Sequence, residues 1–166
     1  GKDLAAIKVN GPMTLALQLV VPLKNPDDTK VLGQVAVSDA LLNLADWNIQ
    51  LENLQGDFGF TENTIFSSGL QGKLFNAPVV LSMSTQQDVK NGPFVQANVK
   101  GIINLAELEK WLNISFSKYA YGTTDYNAQL HLTSHDKNQP TELILTSDLK
   151  GISLDLPDQY SKKAGD

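Results

Sequence analysis

The sequence predicts a mainly β fold, an antiparallel meander with one short helix, and three observations carry that reading. Apolar side chains alternate with polar ones at period two through most of the chain. Clusters of Gly, Pro, Asn and Asp interrupt the alternation at intervals of roughly 10–20 residues, the spacing of sequentially paired strands. A single segment changes to the 3.6-residue period of a helix.

The elements follow in order. Met13 to Leu23 place Leu15, Leu17, Leu19, Val21 and Leu23 on one side, with Pro22 near the end where no ladder bond is lost. Asn25 to Thr29, with Pro26 and two Asp residues, make a turn. Val31, Gly33, Val35 and Val37 form the next strand, and Ser38 to Ala40 a bend. Leu42, Leu44, Trp47, Ile49 and Leu51 continue, with one slip of phase between Leu44 and Trp47 and another at Asn53–Leu54, before Gly56, Phe58 and Phe60. Such slips mark bulges or corners. After a turn at Thr61 to Thr64, Phe66, Ser68, Leu70, Gly72 and Leu74 read as one strand face, stopped at Asn76–Pro78. Val79, Leu81, Met83 and Thr85 return, Asn91–Gly92 is a hairpin dipeptide, and Val95, Ala97, Val99 and Gly101 follow.

The helix starts at Asn104, a good N-cap with Glu107 at capping-box spacing. Leu105, Leu108, Trp111 and Leu112 share its apolar face, and it ends near Asn113. Ile114 to Thr124 has no clear period. Strands resume at Tyr126, Ala128, Leu130 and Leu132, turn at Asp136 to Gln139, and continue through Leu143 and Leu145, then Ile152, Leu154 and Leu156 before Pro157. That makes eight to ten strands in one module, 1–166, with a looser division into 1–101 and 102–166.

Composition narrows the function. Of 166 residues 42% are apolar, enough for a core, and 19% are charged. The net charge is −5 and the basic residues are scattered, which argues against nucleic acid and against docking on anionic head groups. Cysteine is absent, so disulfides and thiolate metal sites are excluded. No apolar run approaches the length of a membrane span. Gly1 is not a natural start, so the chain reads as a piece excised from a longer protein.

No motif points to catalysis, a cofactor or a metal. Asp57–Phe58–Gly59 spells a kinase metal motif without the phosphate loop, strand lysine or catalytic loop that chemistry needs; two inward Phe residues around a small one explain it. His131 and His135 have zinc-helix spacing, but in an extended strand their Cα atoms stand roughly 13 Å apart, too far for one ion. Ser67–Ser68–Gly69 lacks the flanking glycine pattern of a nucleophile elbow, and Gly69–Leu70–Gln71–Gly72 lacks the phosphate-loop lysine. Asp27/Asp28 and Asp155/Asp158 fall in turns or at strand ends, as solvated acids do. Asn113–Ile114–Ser115 fits a glycosylation triplet, a pattern common by chance.

What remains is the strand faces themselves. Long apolar alternation with few charges suits a sandwich core, or an open, curved sheet with an apolar groove.

A resemblance favours the second. Gly33–Val37 (GQVAV), Leu42–Leu44 (LNL), Leu51–Phe60 (LENLQGDFGF), Ser68–Leu74 (SGLQGKL) and Ala77–Leu81 (APVVL) resemble the AsmA-like superfamily of bacterial envelope proteins, and its YhdP-type members most closely. So do Leu149–Pro157 (LKGISLDLP) with Lys162 and Ala164–Gly165, and the Leu15 to Leu23 strand. The resemblance implies a long, curved antiparallel sheet, taco-like with an open groove, one internal stretch of a periplasmic protein anchored in the inner membrane. It implies a non-catalytic module that holds or conducts phospholipid acyl chains between inner and outer membrane. Its partners would be those chains and the neighbouring β modules, with membrane contact only through other parts of the parent.

The groove candidates are Leu15, Leu17, Leu19, Val21, Val35, Val37, Ile49, Leu51, Phe58, Leu70, Leu81, Val95, Leu130, Leu132, Leu143 and Leu145. Leu105, Leu108, Trp111 and Leu112 would cover part of the groove. The competing reading is a closed-core scaffold or interaction domain of the envelope.

Overall fold

The computed structural model describes residues 7–25, 29–89, 92–115, 118–133 and 142–155. Among them run strands β1 (Ile7–Asn10), β2 (Met13–Val20), β3 (Lys30–Leu44), β4 (Ile49–Thr61), β5 (Ile65–Leu74), β6 (Ala77–Asp88) and β7 (Gly92–Asn104), then helix α1 (Leu105–Leu112), and β8 (Ala120–Thr133), β9 (Glu142–Thr146) and β10 (Ile152–Leu154). They form a single antiparallel sheet in the order β1-β3-β4-β5-β6-β7-β8-β10, with β2 beside β1 on the free edge of β3, and β9 beside β10 on the free edge of β8. The path does not close. From β3 to β8 every strand pairs with its sequence neighbours, as short connections dictate.

Cross-strand partners share a face, so the register sorts the side chains. One face collects Leu15–Val35–Phe58, Leu42–Leu51–Leu74, Leu70–Leu81–Val99–Ala128 and Ala97–Leu130–Leu143. The other collects Glu52–Lys73, Val80–Lys100–Asn127 and Gln96–His131–Glu142. No charged residue in register stands on the first face; Lys8, Lys30, Asp57, Asp88 and Asp125 all lie on the second.

A crease crosses β3, β4 and β5. The register shifts between Val37 and Ala40, between Glu52 and Gln55, and between Ser67 and Leu70. Asp39 and Asn53 take left-handed φ of 54° and 49° there, and the Asn53 amide Nδ2 donates to Asp39 Oδ1 at 2.5 Å, joining the two bulges. Each slip moves the apolar phase from odd to even positions: Val35 and Val37 give way to Ala40 and Leu42, Leu51 to Leu54, Ser67 to Leu70. Bulges in line bend a sheet. Beyond the crease, β6, β7 and β8 pair without interruption.

The bend packs Val37, Ala40, Leu54, Leu70, Leu81 and Ala97 into a buried row. A second cluster, Leu51, Leu74, Val79, Ile103 and Tyr126, lies nearer one end of the strands, where Leu108 of α1 packs on it.

The helix and the slip at Asn53 stand where the sequence put them; several other details differ. The bend at Ser38 to Ala40 is a bulge within a continuous β3. The slip near Trp47 is a 3-10 turn, Ala45–Trp47, closed by Asn48 at φ 51°. Phe66 is not on the face of Leu70: it pairs with Gly59 and Ser84 on the polar face, half exposed, because the bulge at Ser68–Gly69 inverts the phase. The β5–β6 connection is a two-residue hairpin turn, Phe75–Asn76, with both φ positive, as the twist of paired strands favours. Asn104 caps α1 by accepting from Ala106 N at 2.9 Å, while Glu107 pairs with Lys110 at 2.7 Å instead of reaching back. Asn113 ends the helix at φ 53°. Asn91, the Asp136–Gln139 turn, His135, Leu156 and Pro157 lie outside the described residues.

Candidate functional site

The feature that stands out is the apolar face, and the register shows how sequence builds it. Period-two alternation is kept through each bulge by a compensating change of phase, so the charged residues in register stay on the polar side, although Val20, Phe66, Val80, Ile102 and Ile144 lie there with them. Leu15, Leu17 and Leu19 stand opposite Val35, Gly33 and Val31. Val35 and Val37 stand opposite Phe58 and Gly56, and Ile49 and Leu51 opposite Leu44 and Leu42. Leu70 pairs with Leu81, Leu130 with Leu143, and Ala128 with Leu145. Val95 pairs with residue 132 through the backbone; the Leu132 side chain lies outside the described residues. Val21 follows the end of β2 and is exposed. The strand candidates in register are thus brought to one face.

Exposure divides that face into a sealed middle and open margins. Leu70 is 2% exposed and Leu81 5%, whereas Leu15, Leu17 and Leu19 on β2 are 52–58% exposed. On the opposite margin Leu143 and Leu145 are exposed too, by 39% and 42%. The cause is topological: inner strands have apolar neighbours on both sides and lie in the bend, while β2 and β9 have one neighbour each.

Helix α1 covers one end of the strands. Leu105 is buried, Leu108 joins the second cluster, and the Trp111 ring is tilted against Phe75 with centroids 6.0 Å apart. The Trp111 indole N–H donates to the Trp47 carbonyl at 2.8 Å, which ties the β7–β8 connection to the β3–β4 turn. Leu112 faces solvent.

The groove candidates did not include Ala40, Leu54, Leu74, Ile103, Tyr126 and Ile152, all buried on this face or at its β10 margin. The signal for Leu54 was the phase change after Asn53, and for Leu74 its place in period with Leu70. For Tyr126 no pattern distinguished a buried phenol from an exposed one. Its hydroxyl is buried without a hydrogen-bond partner among the described residues, and burial pushes its pKa up to about 12.

The polar face is different in kind. It carries a shallow depression of about 990 Å³ bordered by Lys73, Lys100, Asp125 and Asn127, with Val80 and Ile102 on its floor. A twisted sheet is concave on each face along a different diagonal, which accounts for a hollow on the side opposite the apolar rows. His131 is there too, its Nδ1 3.6 Å from the Glu142 carboxylate and its ring 5.3 Å from Phe94. Among the described residues no three metal-ligating side chains gather, and no helix is long and apolar enough to cross a membrane.

Comparison with known proteins adds a family. The model of a family described as "YhdP protein" matches residues 1–166. The intermembrane phospholipid transporter YhdP of Escherichia coli (strain K12) is 25% identical over 170 aligned residues, which cover the whole of this chain and 13% of that relative's length. No solved structure matches the chain.

Proposed function

The chain belongs to the YhdP family, and from that premise we propose that it is a non-catalytic periplasmic module of a longer, inner-membrane-anchored protein, holding phospholipid acyl chains on their way between the inner and outer membranes. The observation that carries the reading is the face without charge: apolar rows run across the sheet from β2 to β9 with no charged residue in register among them. Each CH₂ moved from water to an apolar surface is worth about 0.8 kcal/mol. An acyl chain lying on the sealed row and along the exposed β2 and β9 margins would cover leucines that are otherwise wet.

Among the described residues the sheet ends in strand edges without a further partner strand, which suit neighbouring β modules of the same parent chain. Family membership supports phospholipid as the cargo because the matched relative is named for that transport. Photoreactive side chains placed in the full-length protein test the reading. Those at Leu15, Leu17, Leu143 and Leu145 are expected to crosslink lipid, while those at Ala16, Gln18 and Ile144 on the other face are not. Equal labelling of both faces, or none, refutes the conduit.

A second reading is a closed-core scaffold, and the burial of Val37, Ala40, Leu54, Leu70 and Leu81 is what favours it. The exposed leucines of β2 argue against a core closed over the whole face.

A further inference from the structure

The apolar face contains few polar side chains, and most are provided for. Ser67 Oγ donates to the Asp57 carbonyl at 2.7 Å, and Thr124 Oγ1 shares a hydrogen bond with Ser147 Oγ at 2.9 Å. Thr85 Oγ1 accepts from the Ile65 N–H at 2.8 Å. Tyr126 is the exception. The residue is 7% exposed, and its hydroxyl is buried with no hydrogen-bond partner among the described residues.

Its placement is specific. Tyr126 pairs with Gly101, and Gly101 lacks the side chain that would otherwise crowd the phenol ring and Val79. The ring packs on the apolar face in one cluster with Leu51, Leu74, Val79 and Ile103, against which Leu108 of α1 also packs. Desolvation keeps the phenol protonated far above neutral pH, so the group is a donor and not an anion. A buried donor without an acceptor is costly, and natural folds keep one where a ligand or water completes it.

On the reading that this face holds acyl lipid, the acceptor nearest the chains is the ester carbonyl. We propose that the Tyr126 hydroxyl donates a hydrogen bond to an ester carbonyl of the bound lipid, making it a polar stop that sets where the glycerol end rests on an otherwise apolar surface. The Leu108 side of α1 moves outward to admit the carbonyl. That helix has eight residues, too short to be stable by itself, and it is held in place by its contacts with the sheet and the Trp111–Trp47 bond.

The test uses the full-length protein, wild type and Tyr126→Phe, with two probes presented in phosphatidylethanolamine vesicles. One is a photoreactive phospholipid with ester-linked chains; the other is its ether-linked analogue, which lacks the carbonyls. Wild type is expected to capture the ester probe about fivefold better, the effect of one neutral hydrogen bond. Tyr126→Phe should lower ester capture to the ether level. Equal capture of both probes by wild type, or an ester preference that survives in Tyr126→Phe, overturns the hydroxyl's role and leaves the lipid reading intact. Capture of neither probe overturns both. A second measurement addresses internal water as the partner. Lipid-free Tyr126→Phe should melt at or above the wild-type temperature, because it loses only an unsatisfied group; a lower melting temperature shows that the hydroxyl is already served within the fold and overturns the proposal.

Discussion

Placing a carboxylate at two points of the same apolar face separates its open margin from its sealed middle. Leu17 on β2 stands opposite Gly33 and is 52% exposed. Full burial of a leucine is worth about 1.5–3 kcal/mol, so Leu17→Asp forfeits about 1 kcal/mol of burial. The new carboxylate stays hydrated, and the lower strand propensity of Asp adds about 0.5 kcal/mol. Leu70 is 2% exposed between Leu81 and the crease. Truncation there alone costs roughly 2.7–5 kcal/mol, and an unpaired carboxylate in that site adds several more. The sum matches the whole stability of an ordinary domain, about 5–15 kcal/mol. Circular dichroism melting should therefore show a folded Leu17→Asp, slightly weakened, and an unfolded or severely destabilised Leu70→Asp. Lipid crosslinking in the full-length Leu17→Asp protein should fall although the fold persists. Collapse at both positions would refute the open margin, and with it the conduit.

Three further outcomes are expected. Gly33→Ala should cost about 1–3 kcal/mol in urea denaturation, because its Cβ meets the Phe60 ring, whereas Gly69→Ala, which meets only Val80 Cγ1 at 3.5 Å, should be neutral or slightly stabilising; equal effects would show that the ring moves aside freely. Trp111→Phe keeps an aromatic ring near Phe75 but removes the donor to the Trp47 carbonyl, and a loss of about 1–2 kcal/mol should appear as faster amide hydrogen exchange across α1; unchanged exchange would mean that packing alone holds the helix. Tyr126, ordinarily near 10 and raised to about 12 in the fold, contributes stability that is complete below pH 10 and lost between pH 10 and 12, since the unfolded chain releases that proton first; Tyr126→Phe should flatten the fall in melting temperature over this window, and an unaltered fall would place its cause in other groups.

What the sequence determined by itself was whatever depends on neighbours along the chain. Period-two alternation identified the strands, and the groove candidates in register share a face because alternation and sequential antiparallel pairing together decide which side each residue takes. Asn104, Glu107 and Asn113 marked the helix for the same local reason, and a cap is a bond between residues two apart. The slip at Asn53 was legible because two apolar phases met there. The slip at Ser68–Gly69 was not, since Phe66, Ser68 and Leu70 satisfy one period without a break, and only the pairing of Phe66 with Gly59 shows that the large ring rests on the polar side. Whether Leu17 and Leu70 differ was equally beyond the pattern, as both are leucines in alternating strands. Their exposures, 52% and 2%, follow from position within the sheet and from the bend, which depend on contacts between residues far apart in sequence. The unpartnered Tyr126 hydroxyl belongs to the same class: burial and partnership are properties of the space around an atom, and that space is made by β4 to β8 and α1 together.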